Sequence, residues 1–287
     1  AGFSMGGNTL FNTEYQNPTE GSGRFLSAAD IVRYCLATCA TVADVEPALK
    51  KLCAWRSTLD DIESVALPLL HYAVADAEGN HAVVEYQDGK LHVYDKHHPT
   101  YPSIGILTND PKYPSQLDGF KGSASFNTNF PGTIQLNGVM LLTDSIGSGS
   151  DSIPGGCGSA ARFTRAGTLT RFIPKTVRNI YDVNAAAQQV LQSLWAPRGM
   201  ETFSMGSKVV QNYTRWGVVI QLEGDYKGSF ATTTHWSSGT DTPKKIFNLS
   251  DYNFDAGTEH TPKLISPFVE ETEEWKADYA NHLAKMQ

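Results

Sequence analysis

The sequence is poor in the groups that build metal clusters and disulfide frameworks. Its four cysteines, Cys35, Cys39, Cys53 and Cys157, form no C-x-x-C pair, so a zinc knuckle is not expected. Cys35 and Cys39 stand four apart on an expected helix and read as buried thiols; a disulfide to Cys53 is compatible with the spacing but not demanded by it. Positive charge is also scarce. Lys and Arg number 23 against 30 Asp and Glu, giving a net charge of −7 and a pI near 5.6. That balance argues against a nucleic-acid partner, which needs clustered cations to neutralise phosphates. No apolar run reaches the roughly 18 residues that suggest a membrane span, so no membrane partner is expected. The chain opens at Ala1 without Met and without a charged and apolar leader, which reads as a removed leader or as a longer protein whose N-terminal part is absent.

What is present suits a chain that buries a sizeable core. Hydrophobic residues make up 40 % of 287 positions, enough for one large domain. The opening "AGFSMGGNTLFNTEY" reads as a strand of small residues. Two helices follow: Ser27 can cap one whose apolar face is Ile31, Tyr34, Cys35 and Leu36, and Thr41 can cap one carrying Val42, Val45, Leu49 and Leu52.

From His71 the period changes to two. "HYAVADAEGNHAVVEYQDGKLHVYD" predicts three short strands with turns at Glu78-Gly79-Asn80 and Asp88-Gly89. Both faces of these strands are partly apolar, which predicts a sheet covered on both sides. "GILTN" reads as a further strand of the meander, and residues 121–157 as long irregular loops interrupted by "VMLL". A second helix pair is expected in "GSAARFTRAGTLTRFI" and "VNAAAQQVLQSLW", then strands in "TRWGVVIQLEG", "GSFATTTHW" and "KKIFNL". Segregated helices and antiparallel strands predict an α+β architecture, with two sheets stacked between helical layers. No internal repeat or linker divides it, so a single domain is expected over residues 1–265. A helical tail over 266–287 would carry Trp275, Tyr279, Leu283 and Met286 along one stripe.

Several constellations could carry chemistry. Asp95, His97 and His98 are potential metal ligands, but adjacent histidines on a turn seldom reach one ion. His71, His81 and His92 sit on neighbouring strands whose register opposes His92 to Glu85 without gathering three imidazoles, so no metal is expected. "GGCGSA" resembles a nucleophile elbow around Cys157 but lacks the core strand that such an elbow follows. Arg162 and Arg165 lie three apart and share a helix face, where an Arg could fix a carboxylate or hold a thiolate. In "ILTNDP", Thr108, Asn109, Asp110 and Pro111 close an apolar run with hydrogen-bonding groups and a strand breaker. Such a knot is either a plain turn or the rim of a site.

Taken in order, "LLHYAVADAEGNHAVVEYQDGKLHVYD", "GILTNDPKYPSQL", "IPGGCGSAARFTRA", "NYTRWGVVIQ" and "KKIFNLSDYNF" resemble the choloylglycine hydrolase and penicillin V acylase family of N-terminal nucleophile hydrolases. The opening strand matches as well, so the resemblance covers roughly residues 1 to 255. The "TRW" run looks more like the Gram-negative branch, which acts on penicillin V and N-acyl homoserine lactones, than the bile salt hydrolases.

The resemblance implies a four-layer αββα sandwich, its first strands missing here. It implies hydrolysis of a linear amide of an N-acyl substrate by an N-terminal Cys whose α-amino group is the base. Asn109 falls on the family's oxyanion-donor Asn and Arg162 on the Arg beside the nucleophile. The second oxyanion position falls on Thr9, with Asn8 beside it. No cofactor or metal is implied. The implied partners are a small N-acyl amide substrate and further copies of the chain, as a tetramer, in a bacterial periplasm or cytoplasm. Ala1 carries no nucleophile, so the expected enzyme takes its Cys from a segment upstream. The alternative is a catalytically inactive member that binds an acyl ligand or serves as a structural subunit.

Overall fold

A computed structural model describes residues 2–18, 24–56, 69–123, 133–136, 139–142, 153–173, 180–197, 199–205, 208–214, 216–222, 229–234 and 245–248. The expected tail over 266–287 lies outside the described residues.

Strand β1 (Phe3–Thr9) is followed by the short β2 (Phe25–Ser27) and two helices. Ser27 caps a 3-10 turn by accepting from Ala29 N at 3.3 Å, and α1 (Ile31–Thr38) continues from it. Thr41 and Asp44 form a reciprocal capping box ahead of α2 (Val45–Leu49). Ile31, Cys35, Val45 and Leu49 are buried, but Leu36 is 49 % exposed: one turn of α1 cannot bring both 35 and 36 to the core. Strand β3 (Cys53–Trp55) pairs with β2 in parallel.

The period-two run forms β4 (Leu70–Asp76), β5 (His81–Gln87) and β6 (Lys90–Asp95), joined as expected. Asp88 and Gly89 both adopt positive φ, 51° and 67°, the backbone of a tight hairpin turn. With β1 they make an antiparallel sheet in the order β1-β4-β5-β6. Its first face, Tyr72, Val74, Val84 and Tyr86, packs on α1 and α2. Its second face puts Val83 and Tyr94 against α3 (Tyr113–Ser123) and α4 (Ser159–Phe172) through Tyr113, Leu117, Phe120 and Phe163. Each large side chain removed from water there contributes about 1.5–3 kcal/mol. Further along this face, small residues paired in register, Ser4 with Ala75 and Gly6 with Ala73, leave a cavity of about 250 Å³ that Ile106 and Ile220 help to close.

Three expectations require correction. "GILTN" is not a strand: residues 104–109 run as irregular backbone, because side chains replace a ladder partner. Ile104 N donates to the Tyr113 hydroxyl at 3.0 Å and Thr108 N to Gln116 Oε1 at 3.2 Å. Helix α3 went unread, although Tyr113, Gln116, Leu117 and Phe120 recur at helical spacing. Within residues 121–157, β7 (Thr133–Leu136) pairs antiparallel with β8 (Val139–Leu142); β8 is the "VMLL" expected to interrupt the loops, whereas β7 stands where irregular loop was expected.

Beyond α4, α5 (Ile180–Ser193) precedes an unforeseen hairpin of β9 (Glu201–Met205) and β10 (Lys208–Asn212). The expected strands β11 (Trp216–Ile220), β12 (Ser229–Thr234) and β13 (Lys245–Asn248) form a second antiparallel sheet. α5 lies so close on β11 that a Cβ at Gly217 would meet Leu191 at 2.8 Å.

Candidate functional site

The polar knot of "ILTNDP" is held from three sides. Thr108 donates through N and Oγ1 to Gln116 Oε1, at 3.2 and 3.0 Å, while Gln116 Nε2 donates back to the Asn109 and Pro111 carbonyls at 2.5 and 2.6 Å. Thr108 Oγ1 and Ser159 Oγ meet at 2.9 Å, which ties the loop to the first residue of α4. Asp110 Oδ1 accepts from Phe11 N at 3.0 Å, and the Asp110–Pro111 peptide is cis.

Helix α4 starts after Gly156, Cys157 and Gly158, and Arg162 N closes its first turn on Gly158 O at 3.0 Å. Arg162 therefore points back over the loop: Nε donates to Cys157 O and Nη2 to Asn109 Oδ1, each at 2.8 Å. With its carbonyl end on the guanidinium, Asn109 presents its NH₂ end to the Thr9 carbonyl at 3.2 Å. That acceptor takes one of the two N–H groups of the amide. Asn8 Nδ2 donates to Leu107 O at 3.3 Å, so β1 grips the same loop twice.

Asn109 and Arg162 form one wall of a cavity of about 120 Å³, completed by Glu201, Tyr213 and Thr214 and by the apolar Leu194 and Ala196. Burial lowers the Arg162 guanidinium from its ordinary value. The Glu201 carboxylate and Cys157 act against that shift, and Arg165 adds to it. Arg165 itself is buried and staples the fold: it donates to Ser193 O at 2.8 Å, to Gly156 O at 3.0 Å and to Pro154 O.

The structure thus brings Asn109, Arg162, Asn8 and Thr9 to one loop, although only the first two line the cavity. Cys157 is buried, its thiol against Trp195 O and Met200 Sδ, and no strand precedes it over 153–158. Asp95 Oδ1 accepts from His97 N and His98 Nδ1 from Tyr101 N within the turn, and no cluster of three metal-ligating side chains occurs among the described residues.

Sequence reasoning missed the groups behind Asn109. Glu85 lies opposite His92 as expected, but its side chain bonds His71: Nδ1 to Oε1 is 2.8 Å, and His71 Nε2 lies 2.6 Å from Thr108 O. The signal was present, since the hairpin pairing of Tyr72 with Val84 continues to His71 and Glu85. The cavity residues Glu201, Tyr213 and Thr214 carried no readable signal.

Comparison with known proteins places this geometry. The profile described as linear amide C–N hydrolases, choloylglycine hydrolase family, matches residues 1–233. A bile salt hydrolase/transferase from Lactiplantibacillus plantarum is 26 % identical over 137 residues, a match spanning 48 % of this chain and 40 % of that protein. This chain therefore matches less than half the length of that relative. Among solved structures, a cysteine-to-alanine variant of conjugated bile acid hydrolase from Clostridium perfringens superposes with a TM-score of 0.67 at 20 % identity, covering 88 % of this chain and 71 % of that one. Penicillin V acylase from Agrobacterium tumefaciens gives 0.61 at 21 % identity, covering 87 % and 64 %. The fold is that of these N-terminal nucleophile hydrolases, the αββα arrangement of antiparallel sheets between helices.

Proposed function

Since the chain belongs to the choloylglycine hydrolase family of linear amide C–N hydrolases, we propose that the protein cleaves the amide of an N-acyl substrate, with Asn109 as oxyanion donor and Arg162 as the cation that orients it. The nucleophile in this reading is an N-terminal cysteine outside residues 1–287. Its thiolate adds to the acyl carbon, and the carbonyl oxygen takes up the negative charge. Asn109 Nδ2–H donates to that oxygen, an effect of about 3 to 4 kcal/mol in comparable sites. The C–N bond then breaks, the amine leaves with a proton from the α-ammonium group, and water hydrolyses the thioester to the free acid.

The contact between Arg162 and Asn109 at the cavity wall carries this reading, because it leaves an amide N–H of Asn109 for an oxygen that is not part of the protein. Leu194 and Ala196 offer apolar surface for the acyl carbons. Penicillin V, a conjugated bile salt and an N-acyl homoserine lactone are the substrate candidates, the first two from the named relatives. The test is to express the complete gene, determine the first residue of the mature protein by mass, and assay these three amides. An N-terminal Cys with acid released from one of them supports the reading. A folded protein with no release, or one whose first residue is not a nucleophile, sinks it and favours a binding or structural role.

A further inference from the structure

Behind the loop of Asn109 lies a chain of buried hydrogen bonds that the reaction as described above does not use. His71 and Glu85, on the facing strands β4 and β5, are both completely buried. Glu85 Oε1 meets His71 Nδ1 at 2.8 Å and accepts from Tyr113 N, the first residue of α3, at 2.7 Å, while Gln87 Nε2 donates to Oε2 at 2.6 Å. At its other end the chain reaches the loop, where His71 Nε2 lies 2.6 Å from the Thr108 carbonyl, which can only accept. Thr108 is the residue immediately before Asn109.

Polar groups this deep are costly unless every partner is placed, so an apolar pair would join β4 to β5 more simply. What an apolar pair cannot do is hold one peptide group at a fixed height above the sheet. The loop makes no ladder of its own over 104–109, and the His71 bond is the one that joins the Thr108–Asn109 peptide to the sheet floor. Of the remaining ties, those to Gln116 in α3 and Ser159 in α4 run sideways, and those between β1 and the loop hold the Leu107 carbonyl and the Asn109 side chain rather than this peptide. An oxyanion donor works only within a few tenths of an ångström of its place, so support from beneath matters for rate more than for binding.

We propose that His71 and Glu85 are positioning residues for the reaction: Glu85, anchored on the N-terminus of α3, orients the His71 ring, and His71 sets the height of Asn109 through the Thr108 carbonyl. This rests on the reading of Asn109 as oxyanion donor and adds residues that touch no substrate.

The experiment is a double-mutant cycle of Glu85→Gln and Asn109→Ala in the protein expressed from its complete gene, using whichever of penicillin V, a glycine-conjugated bile salt or an N-acyl homoserine lactone it hydrolyses. The amide of E85Q fills the same space but puts an N–H donor where one carboxylate oxygen accepts from Tyr113 N or Gln87 Nε2. The expected result is a fall in kcat of about tenfold or more with KM nearly unchanged in the native background, and no further fall when N109A is already present. An unchanged kcat in E85Q, or an equal loss in both backgrounds, overturns the proposal. If N109A alone is fully active, or no substrate is hydrolysed, the reading of Asn109 fails first and removes the basis of this one. Should E85Q not accumulate as folded protein, Gln87→Ala loosens Glu85 from its partly buried side. A smaller loss of kcat, absent beside N109A, is then expected, and wild-type kcat in Q87A overturns the proposal.

Discussion

Arg162 Nη2 donates to Asn109 Oδ1 at 2.8 Å, and this contact decides which end of the Asn109 amide faces chemistry. Reversing the amide would set its NH₂ group against the guanidinium, so the N–H groups are held toward Thr9 O and the cavity. The relationship crosses from an irregular loop to the first turn of α4.

Asn109→Ala removes the proposed oxyanion donor and leaves Arg162 its bond to Cys157 O. The expected loss in kcat is about 100- to 1,000-fold with little change in KM. Steady-state kinetics on the substrate identified for the complete protein check it, and a variant within a few-fold of the native rate would refute the role.

Arg162→Lys keeps the charge but not the fork. One ammonium cannot bond both Cys157 O and Asn109 Oδ1 along the directions the guanidinium uses. A fall in kcat of up to about 100-fold is expected from the misplaced Asn109. A Lys variant with native kcat would show that charge alone matters.

Cys157→Ala is expected to retain activity, because only the main-chain carbonyl of Cys157 touches Arg162 while its thiol faces Trp195 and Met200. Loss of turnover in a folded C157A would instead make this thiol the nucleophile. Cys35, Cys39, Cys53 and Cys157 should also resist thiol reagents, read by mass at each site: all four are buried, and burial together with the neighbouring Cys39 pushes the Cys35 thiol up to about 12.

Asp76 makes stability depend on pH. Burial alone would raise its carboxyl, but hydrogen bonds from Val42 N, Asn80 and Glu78 N outweigh it and leave the net shift downward. A carboxyl depressed in the folded state binds its proton more readily when unfolded. Its stabilisation is therefore complete above the unfolded carboxylate range and lost as pH falls through the folded value. Urea unfolding from pH 7 downward should show Asp76→Asn less stable by a constant amount until about pH 4, the ordinary Asp range, with the gap narrowing below it. A gap independent of pH would contradict this.

Much of the fold was legible because its signals are local. Asp88-Gly89 turns a hairpin because adjacent residues tolerate positive φ, and Thr41 with Asp44 caps a helix within four residues. "GILTN" misled because an apolar run before a proline reads as a strand whether or not a partner strand is present. Here its amides turn to the Tyr113 hydroxyl and the Gln116 side chain instead. α3 was lost to its Pro, Gly and Ser content, which resembles loop until Leu117 and Phe120 are seen to pack on Phe163.

The sequence by itself determined the alternating strands, the capped helices, the family pattern and the candidacy of Asn109 and Arg162, all properties of neighbouring residues or of a motif in register. Only the tertiary structure decided what those candidates do to one another. Asn109 meets Arg162 across 53 residues and Thr9 across 100, and the His71–Glu85 pair reaches Thr108 from beneath. Such contacts depend on how a sheet, a loop and two helices pack, and hydrogen-bonding groups so far apart in the chain carry no local mark of their partners.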